Sequence, residues 1–181
     1  MKSAMKSLAL TLLLAVSAQP RPAPEAAWRE FTSNEGGFTV SLPGEPQART
    51  VVTYTRSGPL YTNTVSSNDD DLNNFSVSWT SYEDDRLARR PVEKLFDRVR
   101  EGLLKATGGR LLSDSPVNLD GHPGRAFAYE TPDGDVHKFR VYVVSDKFYQ
   151  VSTQTKAAAN APSAGERFLA SFKLRAGRKV L

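Results

Sequence analysis

A chain of 181 residues with 24 basic and 20 acidic side chains carries a formal charge of +4, and it contains no cysteine and two histidines. This composition excludes a disulfide framework and leaves soft-metal centres without a ligand set. The pI of about 9.4 does not indicate a nucleic-acid binder, because the tail cations Lys173, Arg175, Arg178 and Lys179 have no aromatic beyond Phe172 on which a base would stack.

Lys2 and Lys6, an apolar run from Leu8 to Val16 and the small residues Val16-Ser17-Ala18 predict a signal peptide over residues 1–18. The run is far shorter than the about twenty residues that span a bilayer. The expected product is exported, periplasmic or extracellular, with no transmembrane segment after removal of the leader. Its charge falls to +2 with the loss of the two lysines. Residues 19–27, with Pro20, Pro22 and Pro24, read as an extended spacer. A single domain is expected over 28–175, followed by a basic tail over 176–181.

Phe38, Val40 and Leu42 alternate with Thr39 and Ser41 and predict a first strand, stopped by Pro43-Gly44. Arg49 to Thr55 and Leu60 to Ser66 predict a hairpin. Phe75, Val77 and Trp79 mark a further half-buried strand. Pro91 opens the best helix, with Val92, Leu95, Phe96, Val99 and Leu103 on one stripe and Gly108-Gly109 at its end. Leu111 to Ser113 and Pro116 to Leu119 are short extended pieces. Ser163 and Glu166 predict a capping box for a closing helix whose apolar face is Phe168, Leu169 and Phe172.

Leu119 to Thr155 reads as three antiparallel strands. Asp133-Gly134 suits a two-residue type I′ turn. In that register Ala128 opposes Phe139 and Ala126 opposes Val141, while Glu130 faces His137. The other face then collects Arg125, Phe127, Tyr129, Lys138, Arg140 and Tyr142. A second packed layer over these aromatics and aliphatic stems is one reading of that face, and a partner or ligand platform is the other. The following turn, Ser145-Asp146-Lys147, admits a two- or a three-residue loop, and the choice exchanges the faces.

Catalytic motifs are missing from the sequence: no nucleophile elbow, phosphate loop, dinucleotide glycine motif or His-Glu-x-x-His occurs. Asp69-Asp70-Asp71 and Glu83-Asp84-Asp85 lack the ligand spacing of a calcium loop. Asp133 and Asp135 fit turn chemistry, and Asn74-Phe75-Ser76 is a weak glycosylation match. His122 sits in the turn Asp120-Gly121-His122-Pro123-Gly124. A deep pocket joining it to a carboxylate and a hydroxyl would suit a hydrolase or transferase, and an exposed position would count against one.

Gly36-Gly37-Phe38-Thr39-Val40-Ser41-Leu42-Pro43-Gly44, the helix after Pro91, Gly121-His122-Pro123-Gly124-Arg125 and the closing Phe168 to Leu174 together resemble the PsbP-like and Mog-like group of small bacterial envelope proteins. The resemblance implies an α+β fold, an antiparallel sheet of six to seven strands sandwiched by helices. It implies no shared catalytic residues. The expectation is therefore a non-enzymatic extracytoplasmic binding or assembly module of the cell envelope, with no cofactor and no metal. Its partner- or ligand-binding candidates are Arg125, Phe127, Tyr129, Lys138, Arg140, Tyr142 and His122. A small-molecule or calcium carrier, or a hydrolase using His122, are the alternatives.

Overall fold

The computed structural model describes residues 27–56, 58–69, 71–82, 87, 91–157 and 162–175. The leader, most of the spacer, Asp70, the cluster Glu83-Asp84-Asp85 and the tail beyond Arg175 lie outside the described residues.

Ten strands and two helices follow in the order β1 (Trp28–Ser33), β2 (Phe38–Pro43), β3 (Gln47–Thr55), β4 (Gly58–Asn68), β5 (Asn74–Ser81), α1 (Val92–Thr107), β6 (Arg110–Leu119), β7 (His122–Glu130), β8 (Val136–Val144), β9 (Lys147–Thr155), α2 (Pro162–Ser171) and β10 (Lys173–Leu174). Seven strands form one antiparallel sheet in the order β3-β4-β5-β9-β8-β7-β6. The expected sheet is thus present, and a second sheet of three strands, β1-β2-β10, accompanies it. The alternation in Phe38, Val40 and Leu42 suits either sheet, so the pattern alone did not separate them.

Each face of the large sheet has its own core. On one face, Phe96 of α1 packs with Phe127, Tyr129, Phe139, Val141 and Phe148. On the other, Phe168, Leu169 and Phe172 around α2 join Phe38 and Leu42 of the small sheet against Phe75, Val77, Trp79, Tyr149 and Val151. Phe38, Phe96 and Phe168 are fully buried, and burial of each such ring contributes about 1.5–3 kcal/mol. Away from α1, the first face turns polar. Hydroxyls there pair across strands, Thr64 with Ser78 at 2.8 Å and Ser76 with Ser152 at 2.9 Å.

The helix ends follow local chemistry. Gly108 takes the left-handed region (φ 65°) that closes α1, and the Gly109 N–H donates to the Leu104 carbonyl at 3.1 Å. Pro91 precedes the first helical residue rather than occupying it. α2 begins at Pro162, one residue before the Ser163 expected to cap it. Glu166 turns instead to Lys138, 2.7 Å away.

The type I′ reading of Asp133-Gly134 is overturned. Gly134 N–H donates to the Thr131 carbonyl and Thr131 N–H to the Asp135 carbonyl, both at 2.9 Å, so Pro132, Asp133 and Gly134 form a three-residue loop. Gly134 has a positive φ of 84° and Asp133 does not. Pro132 is the cause: its fixed φ suits the second position of a type I turn, with glycine following in the left-handed region. The register therefore moves by one. Phe127 opposes Phe139, Tyr129 opposes His137 and Ala126 opposes Arg140. His137 consequently stacks on Tyr129, ring centroids 4.8 Å apart, instead of meeting Glu130, which pairs with Arg110 at 2.6 Å.

The next turn has the two-residue loop, with Val144 opposite Lys147 and Tyr142 opposite Tyr149. Tyr142 thereby shares a face with Val151. The two pieces at Leu111 and Pro116 are one strand, β6, with a bulge between Leu111 and Ser113.

Candidate functional site

One register step divides the six-residue face in two. Arg125, Phe127 and Tyr129 turn toward α1. Lys138, Arg140 and Tyr142 turn toward α2.

On the α1 side, packing accounts for all three residues. Phe127 and Tyr129 are fully buried, and burial raises the Tyr129 hydroxyl above its ordinary pKa. The Arg125 guanidinium donates to Glu93 on α1 and, at 3.2 Å, to both oxygens of Asp114 on β6. These carboxylates, Glu93 first, raise its pKa further. Arg100 of α1 also bonds Asp114. Arg125 is therefore a clasp between helix and sheet, and the rings of Phe127 and Tyr129 are taken up in the α1-side core.

The α2 side differs because the helix rests on β9 and β2. It leaves the floor formed by β6, β7 and β8 uncovered. Ser113 and Ser115 of β6 and Ala126 and Ala128 of β7 make that floor low, and the result is a groove of about 240 Å³ walled by Lys138, Arg140, Glu166 and Leu169. Lys138 Nζ lies 2.7 Å from one Glu166 oxygen, and Arg140 Nη2 lies 3.7 Å from the other. Arg140 Nη1 donates to the Leu169 carbonyl at 3.2 Å, near the C-terminal end of α2, where cations are favoured. Two cations, each about one-third exposed, thus share one carboxylate. Tyr142 stacks under Phe172 at 6.1 Å and is buried, with its hydroxyl pKa raised by that burial.

The seventh candidate, His122, lies elsewhere. The β6–β7, β8–β9 and β1–β2 turns converge on a cleft of about 540 Å³ whose lining includes His122, Asp120, Ser145, Asp146, Tyr149 and Arg175. This volume is within the range of small-molecule sites. Tyr149 closes its base: its hydroxyl donates to the Gly36 carbonyl at 2.6 Å, and burial pushes its pKa up to about 12. Among the described residues no hydrogen bond joins His122 to Asp120, Asp146 or Ser145, so the cleft holds the residue types of a hydrolytic site without an assembled nucleophile and base.

Among the described residues no group of three histidine or acidic side chains is placed to hold a metal. Asp69 is occupied locally, accepting from the Asp71 and Asn73 backbone N–H groups at 3.0 and 2.9 Å. Asp135 accepts from Gln154, Lys156 and Ala157. Asn74 is held within β5 and donates to Asn68.

Sequence reasoning missed Ser113, Ser115 and Glu166 as groove residues. The first two carried a signal, since they alternate along one strand, but the third was absorbed by its fit to a capping box.

No protein-family model and no curated protein matches the sequence. Among solved structures, the chain is similar to cyanobacterial PsbP (CyanoP) from Synechocystis sp. PCC 6803. The TM-score is 0.55 at 14% identity, covering 82% of this chain and 93% of that one. The fold is PsbP-like. A protein of unknown function from Pseudomonas aeruginosa, PA94, aligns at a TM-score of 0.42 and 13% identity, over 72% of this chain and 84% of that one. The PsbP-like scaffold is built here chiefly from β-strands, with one helix on each face of the large sheet. Among the described residues no helix is long and apolar enough to cross a membrane.

Proposed function

We infer that the chain is a non-enzymatic extracytoplasmic binding or assembly module of the bacterial envelope, of the PsbP-like and Mog-like kind, and that it holds a partner protein at the groove between α2 and β6. The observation that carries this reading is the pair Lys138 and Arg140 sharing the single carboxylate of Glu166 above a floor of small residues. A partner's acidic side chain replacing Glu166 would gain two charge-assisted hydrogen bonds at a semi-exposed position. The leader-like residues 1–18 support export.

Crosslinking in the native envelope tests the proposal. The native chain should recover a specific protein, and the Lys138→Ala, Arg140→Ala double variant should lose it. Arg125→Ala is the control: it should weaken the fold by about 1 kcal/mol, since exposed Glu93 loses its cation while Asp114 keeps Arg100, yet still recover the partner. Recovery that is absent with the native chain, or unchanged in the double variant, overturns the proposal.

The volume of the His122 cleft favours a second reading, a small-molecule carrier. A thermal-shift series with lipids and calcium should then raise the melting temperature, and flat temperatures throughout would count against it.

A further inference from the structure

The two edges of the seven-stranded sheet are built differently. At one edge, β6 has a bulge between Leu111 and Ser113, a proline at Pro116 and the ion-paired Asp114. These are the devices by which natural sheets prevent edge pairing. At the other edge, the nine residues of β3 pair with β4 without a break. They contain no proline, lysine or acid, only Arg49 as a charge, and every one of them is exposed. Among the described residues no strand lies beyond β3.

The hairpin also projects past its support. The β4–β5 ladder begins at Thr62 opposite Thr80, whereas the β3–β4 ladder continues to Thr55 opposite Gly58. Val52 to Thr55 and Gly58 to Tyr61 therefore form a two-stranded ribbon. Such a ribbon is marginal in water, and a third strand is what stabilises it. It presents Tyr54, 85% exposed, and Tyr61, 53% exposed, with Val51 and Val52 beside them.

We propose that β3 pairs antiparallel with β3 of a second copy of this chain, joining two seven-stranded sheets edge to edge about a two-fold axis. Charge selects this occupant. The β3 edge is nearly neutral, so an acidic or basic segment finds little there to match it. An axis at Val51 keeps the exposed Arg56, just past Thr55, three residues from Arg49 of the other copy, against one residue for an axis at Val52. Within β3 itself no like charges oppose each other: with the axis at Val51 or Val52, the two Arg49 side chains stand four or six residues apart along the strands. That is about 14–20 Å at about 3.4 Å per residue, beyond the about 10 Å screening length at 0.1 M salt. A two-fold contact is self-complementary and closes after two copies. It brings the Val52 and Tyr54 side chains of both copies onto one face, continuous with Tyr61. The groove of Lys138 and Arg140, beside the opposite edge, stays free.

Sedimentation of the full chain over a wide concentration range should show a monomer–dimer equilibrium. The Val51→Lys, Val52→Lys double variant should sediment as monomer with an unchanged far-UV spectrum, since both positions are exposed. The absence of cysteine permits a second measurement. Each candidate axis places a residue opposite its own counterpart, so Val51→Cys or Val52→Cys should form a disulfide-linked dimer on oxidation, and Leu111→Cys on the β6 edge should not. A monomer at every concentration, a dimer that survives the lysine variant, open-ended oligomers, or equal crosslinking from Leu111→Cys would overturn the proposal.

Discussion

His137 stacks on Tyr129 with ring planes within 4° of each other, and burial lowers its pKa from the ordinary 6.5 despite the attraction of Asp135. The unfolded chain therefore takes up a proton at His137 before the folded one does. It follows that the stabilising contribution is present above pH 6.5 and is lost as pH falls toward the folded-state value. Urea midpoints measured between pH 8 and pH 5 should decline below about pH 6.5, and His137→Phe should flatten that decline. An unchanged slope in the variant would place the dependence on another group. The sequence placed His137 correctly on a strand but against Glu130. The actual neighbour depends on a one-residue difference in a loop, which composition does not resolve.

The two Asp-Gly pairs show what elements add to residues. Asp120 and Gly121 both have positive φ, 51° and 87°, and join Leu119 to its opposed partner His122 as a type I′ turn does. Asp133-Gly134 has the same residues and a different turn, because Pro132 precedes it. The distinguishing signal was present in the sequence as that proline. Register in turn explains Gly124, which stands opposite Tyr142. A Cβ there would lie 2.4 Å from the Tyr142 ring and 2.6 Å from the Val141 carbonyl, and the ring is held against Phe172. Gly124→Ala should cost about 1–3 kcal/mol in urea denaturation. Gly102→Ala in α1, where nothing lies within 4 Å, should instead add about 0.5–1 kcal/mol. A stabilised Gly124→Ala would mean that β7 and β8 separate more easily than their ladder suggests.

At the scale of the molecule, two cores share one sheet. The rings of Trp28 and Trp79, the chain's two tryptophans, belong to the α2 side, so their fluorescence reports that side alone. Phe96→Ala empties the centre of the α1 side and should cost about 3–5 kcal/mol. If the sheet couples the cores, tryptophan fluorescence and far-UV circular dichroism will shift by the same amount. A fluorescence midpoint left at its native value would show that α1 and its strands unfold on their own.

Alternation along Phe38 to Leu42, Leu60 to Ser66 and Phe75 to Trp79, and the 3.6-residue stripe of α1, determined the α+β class and the main elements from the sequence alone. These patterns are local: each records which side of one element avoids water. The candidate face was not local. Whether Arg125 and Arg140 lie together depends on the parity of a loop that joins two strands. Whether either is free depends on which strands each helix covers. Tertiary structure decided both, taking Arg125 into the α1 clasp and leaving Lys138 and Arg140 at an open groove, because side-chain direction reverses with every residue of register while the hydrophobic pattern of each strand stays the same.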